Sequence, residues 1–547
     1  MRKITPFLLF VFTASCGVAL LWWWRHDPTV TANRPPVAAS PSTVPAPMLP
    51  SVATAPTPPA PTDPALKKLL AAVERLLLRK DVRPQEAVIS FKNDAALARF
   101  LARADKAGLT VLGQLDGLRT VRVRFGDASA LEADLEQNAA DYDDLSGNYV
   151  FTSPPTPTKE QRAALNQIPF GNDALGFIGA TGDRSQWGRG VTIAVLDTGV
   201  AADPTFGRGR LSALDIGFGT TPGKAADDGH GTSVASLAGG MSPDAGGVAP
   251  DAALLSIRVT DATGASDIFT ISRAIVAAVD AGAQVVNVSM GGYGTNAALT
   301  NAITYALDHG AVVVAAAGND QAAQLNWPAA DPRVISVGAV DKAEQQVSFS
   351  NSGVQLQLTA PGLGVQTAWL DGQRADVDGT SASAPLVSGA IAALVSQNPT
   401  LTPAQAAQLL TQTASDGGAP GEDPAYGHGI LNLGWAMNAN NPAYVDTAVA
   451  SHYFDATTNQ MDFVIQNRSG QAVTGLSLDV TTNGTPTSFA IANLAAGQST
   501  VVKVPVDPAQ YAAAGQIRYA TTLVNPLGLA DQVPANNRRT SILTQAK

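Results

Sequence analysis

The stretch Gly379-Thr-Ser-Ala-Ser-Ala-Pro385 opens a long run of apolar residues at helical spacing. One face of this run carries Ala390, Ile391, Leu394 and Val395. The spacing predicts a helix that begins near Ser381, so the Ser381 hydroxyl lies at a helix N-terminus, where negative charge is stabilised. A serine in this position alone is most often only an N-cap. The rest of the chain decides between a cap and a nucleophile.

The composition is that of a globular chain with several domains, because 45% of the 547 residues are hydrophobic and 15% are charged. A formal net charge of -10 argues against nucleic acid as a partner, since no basic stripe is present to neutralise phosphates. The single cysteine, Cys16, lies in the N-terminal apolar stretch. The folded part therefore has neither a disulfide nor a thiol nucleophile.

The N-terminus has the pattern of a membrane anchor. Arg2 and Lys3 precede an uncharged apolar run from Ile4 to Trp24, and about 21 residues suffice to cross a bilayer. The closing Trp22-Trp23-Trp24 suits a membrane interface and not a cleavage site. Residues 1–27 are predicted as an uncleaved signal anchor with an extracytoplasmic remainder; the chain is secreted if this segment is cleaved. Lipidation of Cys16 is a further alternative.

Residues 28–64 are dominated by Pro and Ala with Thr, Ser and Val, a composition that forms an extended spacer and no core. Residues 65–157 then show a regular α+β pattern after a leucine-rich helix. Its strands are predicted at Ala87–Phe91, Leu109–Leu115, Thr120–Phe125 and Asn148–Thr152, with helices at Asp94–Ala107 and Ser129–Asn138. The order β-α-β-β-α-β is that of a split βαβ unit.

Between residues 163 and 440, short apolar runs alternate with helical patterns. Strands are predicted at Val191–Leu196, Ala253–Val259, Gln284–Val288, Ala311–Ala317 and Val334–Val340, with helices at Ile268–Asp280, Asn296–His309 and Ser381–Gln397. Continuously apolar strands alternating with helices indicate an α/β fold with a buried parallel sheet. Sites in such sheets form beyond the carboxyl ends of the strands.

Three polar residues fall at those ends. Asp197 closes the run Thr192–Asp197, His230 stands between two glycines, and Asn319 follows Val312–Gly318. Each residue alone has an ordinary structural explanation, as a turn former for Asp197 and Asn319 and as a structural histidine for His230.

Together with Ser381, these residues form a constellation that chance rarely assembles. In this order and in these glycine-containing frames, the sequence resembles the subtilisin-like serine peptidases, the subtilases, from about Asn166 to Ala436. Further matching stretches are Asn287–Gly292, Thr359–Gly362 and Tyr426–Asn432. Two departures are Ser236, where a glycine is common, and Ser383, where an alanine is common; neither removes a reacting atom.

The resemblance implies a serine endopeptidase in which Ser381 is the nucleophile, His230 the general base and Asp197 its orienting carboxylate. The resemblance also implies that the Asn319 amide and the Ser381 backbone N–H hold the oxyanion. Six residues match the segments that contact substrate: Ser289, Met290, Gly291, Ala316, Ala317 and Gly318. Because these residues are small or apolar and none is acidic, they favour an apolar P1 side chain.

The position of residues 65–157 directly before the peptidase domain makes them resemble the inhibitory propeptides of this family, which act as a partner of their own catalytic domain. The likeness implies cleavage between about Ser153 and Arg162. Pro154, Pro155 and Pro157 crowd that stretch and restrict extended pairing, so a permanently attached domain is the alternative. Catalysis requires no cofactor. Structural calcium is possible, but the sequence does not assign Asp203, Asp227 and Asp228 to a site.

From residue 443 to 547 the pattern changes to short alternating strands separated by glycine-containing turns. These predict an antiparallel β-sandwich weakly resembling bacterial adhesion-type immunoglobulin-like modules. The whole sequence thus predicts a membrane-anchored, extracytoplasmic serine endopeptidase acting on proteins or peptides and made as a zymogen. The alternatives are a catalytically idle scaffold or a surface protein that cleaves only itself.

Overall fold

The computed structural model describes residues 63–153, 167–223 and 229–544. The predicted anchor, nearly all of the linker and most of the predicted cleavage stretch lie outside the described residues. Within the described ranges, no helix combines the length and apolar character needed to cross a membrane.

The first part of the described chain is an α+β layer. It contains α1 (Pro64–Leu78), β1 (Val82–Phe91), α2 (Asp94–Arg103), β2 (Leu109–Leu115), β3 (Thr120–Phe125), α3 (Ala128–Asn138) and β4 (Tyr142–Thr152). The predicted β-α-β-β-α-β order is confirmed, and the strands pair antiparallel in the order β2-β3-β1-β4. β4 begins before the predicted Asn148. A Cβ on Gly147 would lie 2.5 Å from Val82 Cγ1, so a glycine is needed where β4 passes β1.

The central part is an α/β domain whose elements follow in chain order. They are α4 (Ala174–Phe177), β5 (Thr192–Asp197), β6 (Leu211–Leu214), α5 (His230–Gly239), β7 (Ala253–Arg258), β8 (Ala265–Asp267), α6 (Ile268–Asp280), β9 (Val285–Val288), α7 (Ala297–Asp308), β10 (Val312–Ala316), β11 (Ile335–Val340), β12 (Leu358–Pro361), β13 (Val365–Ala368), β14 (Arg374–Val377), α8 (Thr380–Gln397), α9 (Pro403–Gln412) and α10 (Leu433–Asn438). The predicted parallel sheet is confirmed: seven strands run in the order β12-β11-β10-β9-β5-β7-β6, all in parallel register.

Helices cover both faces of this sheet, which is why its strands read as unbroken apolar runs. Ile193 and Val195 of β5 point into a core shared with α5 and α8. Ala194 and Leu196, the alternate residues, point into a second core shared with α6 and α7. The two cores hold the carboxyl ends of β5, β9 and β10 together at one edge of the sheet.

β8 links the first two parts. It pairs antiparallel with the end of β4, so the N-terminal sheet continues into the central domain as a five-stranded sheet, β2-β3-β1-β4-β8.

The C-terminal part confirms the predicted sandwich. It contains β15 (Thr447–Asp455), β16 (Gln460–Asn467), β17 (Leu476–Thr482), β18 (Thr485–Ile491), β19 (Ser499–Pro505), α11 (Pro508–Ala514), β20 (Gln516–Val524) and β21 (Arg538–Thr544). A three-stranded sheet, β15-β16-β19, faces a four-stranded sheet, β18-β17-β20-β21. Phe463 and Tyr519 meet in the core between them.

Candidate active site

Asp197 and His230 form a buried hydrogen-bonded pair. Asp197 is the last residue of β5 and is 0% exposed, while His230 is the first residue of α5 and is 6% exposed. His230 Nδ1 lies 2.8 Å from Asp197 Oδ1, the same oxygen that accepts the Thr198 backbone N–H at 2.7 Å. The carboxylate therefore fixes the orientation of the imidazole and leaves Nε2 as the nitrogen that exchanges protons.

The glycines on either side of His230 are required by close packing. A Cβ on Gly231 would lie 2.4 Å from the carbonyl oxygen of Gly199, and a Cβ on Gly229 would lie 2.2 Å from Cε2 of Trp369. The start of α5 is thus pressed between the loop after β5 on one side and an indole ring on the other. This packing brings the His230 ring to Asp197.

Ser381 lies in the first turn of α8 and is 5% exposed. The preceding Gly379 has a φ of 130°, a backbone conformation that side chains disfavour. A Cβ there would lie 3.0 Å from Ser381 Oγ and 2.7 Å from Asn319 Nδ2. The hydroxyl and the amide nitrogen therefore face the same small space beside Gly379.

Thr380 determines which way the Asn319 amide points. The Asn319 oxygen Oδ1 accepts the Thr380 backbone N–H at 3.0 Å and the Thr380 hydroxyl at 2.9 Å. The Thr380 oxygen in turn accepts the Gly318 N–H at 3.1 Å. With its oxygen engaged, the amide presents its N–H₂ group as a donor toward the space next to Ser381.

A buried polar network supports the backbone of Ser381. Pro385 has no N–H, so the Ser381 carbonyl lacks its ordinary helical partner, and Ser289 Oγ donates to it at 3.1 Å. Ser289 Oγ accepts from the Asn287 amide at 2.9 Å, and Asn287 Oδ1 accepts from Ser388 Oγ at 2.9 Å. The network ties the end of β9 to α8 beneath the serine.

The six predicted substrate-contacting residues lie in different surroundings. Gly291 lines a strand-binding groove, because its N–H and C=O pair with the C=O and N–H of Thr152 at 3.2 and 3.1 Å. Ser289 joins the network described above. Met290, Ala316 and Ala317 have side chains at most 3% exposed that pack into the cores. Gly318, with a φ of 112°, lies against Asn351 and Asn326.

The end of β4 occupies this groove as an extended strand. Thr152 pairs with Ala265 of β8 on one side and with Gly291 on the other. Phe151, directly before it, is 0% exposed and packs in the core under the sheet. The strand runs toward Ser289 and therefore toward the Ser381 carbonyl.

Sequence reasoning missed three supporting residues, Thr380, Trp369 and Pro385. Thr380 and Pro385 stand in the quoted stretch around Ser381, and their roles follow only from knowing which groups they face. Of the unassigned acidic residues, Asp203 accepts the Thr205 N–H at 2.8 Å and pairs with Arg374 at 3.1 Å. Asp227 and Asp228 lie outside the described residues, and no group of three or more metal-ligating side chains occurs within the ranges that the structure describes.

The geometry is that of a serine hydrolase built on a parallel sheet. The family model described as "Subtilase family" matches residues 188–429. Subtilisin Savinase from Lederbergia lenta is 34% identical over 256 residues, which cover 46% of this chain and 93% of that protein. A thermostable alkaline protease from Halalkalibacterium halodurans is 32% identical over 283 residues, covering 51% of this chain and 76% of that protein.

A solved structure with a similar fold is the epidermin leader peptide processing serine protease of Staphylococcus aureus. It has a TM-score of 0.53 and 23% identity, and the match covers 65% of this chain and 98% of that one; at this identity the likeness concerns the fold alone. From the sequence relatives, the chain belongs to the subtilase family. It is a subtilisin-like serine endopeptidase.

Proposed function

We propose that Ser381 is the nucleophile of this endopeptidase and that His230 and Asp197 activate it. Ser381 Oγ attacks the scissile carbonyl carbon while His230 Nε2 takes its proton, and the imidazolium then protonates the leaving amine as the C–N bond breaks. A water molecule then attacks the carbonyl carbon of the acyl-enzyme, again with His230 as the base, and the carboxylic acid product leaves Ser381 Oγ. Asp197 stabilises the imidazolium through the hydrogen bond that it accepts from His230 Nδ1.

Asn319 holds the tetrahedral oxyanion in this proposal. Its N–H₂ group faces the same space as Ser381 Oγ, and the Ser381 backbone N–H, at the start of α8, provides a second donor. Preorganised donors of this kind are most effective where charge develops in the transition state. The supporting observation is the orientation of the Asn319 amide by Thr380.

The observation that carries the proposal is the buried 2.8 Å contact between His230 and Asp197. A peptide-library digest with the wild-type chain and with Ser381→Ala tests it. We expect cleavage of added peptides by wild type only, with an apolar preference at P1. Cleavage by Ser381→Ala would contradict the role of Ser381. Self-cleavage without any cleavage of added peptides would favour a self-processing protein.

We also propose that residues 65–157 act as an inhibitory propeptide. The pairing of Thr152 with both Ala265 and Gly291 supports this, since a strand held in the groove excludes substrate. Arg83 adds ion pairs to Asp261 at 2.8 Å and Asp267 at 3.4 Å. Asn148 Oδ1 accepts the backbone N–H of Phe269, in the first turn of α6, at 3.3 Å.

The proposal includes an extracytoplasmic location with a membrane anchor at residues 1–27. It rests on the uncharged run Ile4–Trp24 behind Arg2 and Lys3. The intact mass of the mature chain tests both processing events. We expect a mature N-terminus between about Ser153 and Arg162. A mature chain that begins before Ala65 would defeat the propeptide assignment. The anchor is tested on the unprocessed Ser381→Ala chain, which should keep Met1 and leave the membrane only with detergent.

A further inference from the structure

We propose that Trp369 is a positioning residue that holds His230 in its working orientation, and that Ser236 anchors the hairpin carrying Trp369. This inference rests on the proposed catalytic role of His230. Trp369 follows β13 and begins the turn that leads to β14.

The N-cap residue of α5, Gly229, has no side chain with which to cap the helix, whereas α6 and α7 are capped by the side chains of Asp267 and Asn296. Thr198 Oγ1, from the loop after β5, accepts the Gly231 N–H at 3.0 Å. What lies against Gly229 is the Trp369 ring: a Cβ there would be 2.2 Å from Cε2 and 2.5 Å from Cδ2. The indole therefore buttresses the backbone directly before His230.

Hydrogen bonds attach the hairpin to the same helix. Ser236 Oγ accepts the Ala368 backbone N–H at 3.2 Å and donates to the Ala245 carbonyl at 2.9 Å. Thr367 Oγ1 donates to the Ser233 carbonyl at 3.0 Å. A glycine at position 236 provides no such acceptor, so the departure from the family pattern at this position adds a second hydrogen bond between α5 and β13.

The other strand of the hairpin is braced as well. Arg374 of β14 pairs with Asp203 at 3.1 Å and with Asp244 at 3.0 Å. β14 ends at Val377 and leads within four residues to Ser381. One braced hairpin thus contacts the helix that carries His230 and continues into the turn that carries Ser381. Its geometry sets the position of the imidazole relative to the hydroxyl.

The test compares variants that are expressed as the full-length chain and assayed after loss of residues 65–157, with the active-site concentration titrated with a fluorophosphonate. For Trp369→Ala we expect kcat on a peptide substrate to fall about tenfold with KM within about twofold, because a displaced catalytic group costs rate and not binding. The rate constant for fluorophosphonate labelling should fall by a similar factor. Trp369→Phe, which keeps a ring, should recover most of both rates, and Ser236→Gly should show a smaller loss of the same kind.

Leu370→Ala is the matched control, since Leu370 lies in the same turn but, unlike Trp369, is not among the hydrophobic side chains packed against the core that contains α5. Its rates should equal those of wild type. A rise in KM with unchanged kcat and labelling rate would overturn the proposal in favour of a substrate contact. Rates equal to wild type in Trp369→Ala would overturn it outright. If Trp369→Ala does not fold, Trp369→Leu decides in the same way. A folded wild-type chain that has lost residues 65–157 and still resists labelling would instead refute the proposed catalytic role.

Discussion

The orientation of a single amide, that of Asn319, carries much of the proposed transition-state stabilisation. Thr380 holds the amide oxygen from two directions, so the donor group is directed before any substrate arrives. In subtilisin, loss of the corresponding asparagine costs about 2.7–4 kcal/mol.

We expect Asn319→Ala to lower kcat by about 10²–10³ with little change in KM, because the oxyanion forms only in the transition state. Steady-state kinetics on a peptide substrate measure both constants. Thr380→Ser, which keeps the orienting hydroxyl, is the control and should stay near wild type. A variant Asn319→Ala that changes KM alone would show that Asn319 contacts the ground state.

Ser289 offers a second prediction at the residue scale. Its hydroxyl satisfies the Ser381 carbonyl that Pro385 leaves without a helical partner. Ser289→Ala should therefore lower the free energy of unfolding by about 1–3 kcal/mol, the cost of a buried carbonyl without a partner. Denaturant unfolding in a Ser381→Ala background, which prevents autolysis, provides the measurement.

Thr411→Ala is a suitable control for that experiment, since the Thr411 hydroxyl bonds only to a carbonyl of its own helix at an exposed position. Its free energy of unfolding should change by less than about 0.5 kcal/mol. Equal values for Ser289→Ala and its control would contradict the network.

At this scale the sequence marks the proposed reacting residues but not their supports. Asp197, His230, Asn319 and Ser381 stand in glycine-containing frames that mark them in the sequence. Trp369 carries no such mark, and Ser236 stands out only as a departure from the family pattern, because the effect of both residues depends on which backbone atoms lie opposite them after folding.

Whole elements were predictable where burial is complete. β5, β9 and β10 are buried on both faces, and their apolar runs placed them within a residue or so of the observed ends. The edge strands β6 and β12 were missed: β6 is half exposed and β12 contains Pro361. In the sandwich, the alternating pattern predicts strands at Met461–Gln466, Leu476–Thr481, Ser499–Val504 and Ile517–Val524, which correspond to β16, β17, β19 and β20, so β15, β18 and β21 were missed. Most residues of β18 are exposed and lack an alternating pattern.

The sandwich contains a buried titratable group, His452. Its ring nitrogens lie 2.8 Å from the hydroxyls of Ser541 and Thr521. Burial, together with the nearby Arg539 charge, lowers the pKa of His452 to about 3. The neutral form is favoured in the folded chain, so its stabilising contribution is complete above pH 6.5 and is lost as the pH falls from there toward 3.

We therefore expect the melting temperature to decrease as the pH is lowered from 6.5. His452 should contribute up to about 1.4 kcal/mol per pH unit to the loss in the free energy of unfolding. His452→Gln, measured in the Ser381→Ala background, should lose that part of the pH dependence. Melting curves at pH 7, 6 and 5 give the comparison. Parallel pH profiles of the two chains would show that His452 titrates normally.

At the scale of the whole molecule, two junctions join the three parts of the described chain. The N-terminal sheet continues through β8, and Arg83 pairs across that junction with Asp261 and Asp267. The sandwich is joined to the central domain by the Glu344–Arg539 ion pair and by the Ser451 hydroxyl, which donates to Asp416 at 3.2 Å. The order of the parts was predictable from composition and hydrophobic patterning, whereas these junctions depend on contacts between residues far apart in the chain.

The contacts of Arg83 at the junction between the N-terminal sheet and β8 should affect how often the end of β4 leaves the groove. Arg83→Ala removes both ion pairs, to Asp261 and Asp267, which are partly shielded from solvent. The end of β4 should therefore leave the groove more often, by about fivefold for a loss of about 1 kcal/mol. The initial rate of fluorophosphonate labelling of the unprocessed chain measures this. Arg79→Ala, whose ion pair to Asp81 lies within the N-terminal layer, should label at the wild-type rate. A slower or unchanged rate in Arg83→Ala would contradict the inhibitory role.

The most direct test of the account is to locate the bound fluorophosphonate by tandem mass spectrometry. We predict a single phosphonylated residue, Ser381, in the wild-type chain and in Arg83→Ala, and no labelling of His230→Ala over the same time. Folded wild-type and Arg83→Ala chains that both remain unlabelled would contradict the claim that His230 and Asp197 activate Ser381, as would label on another serine.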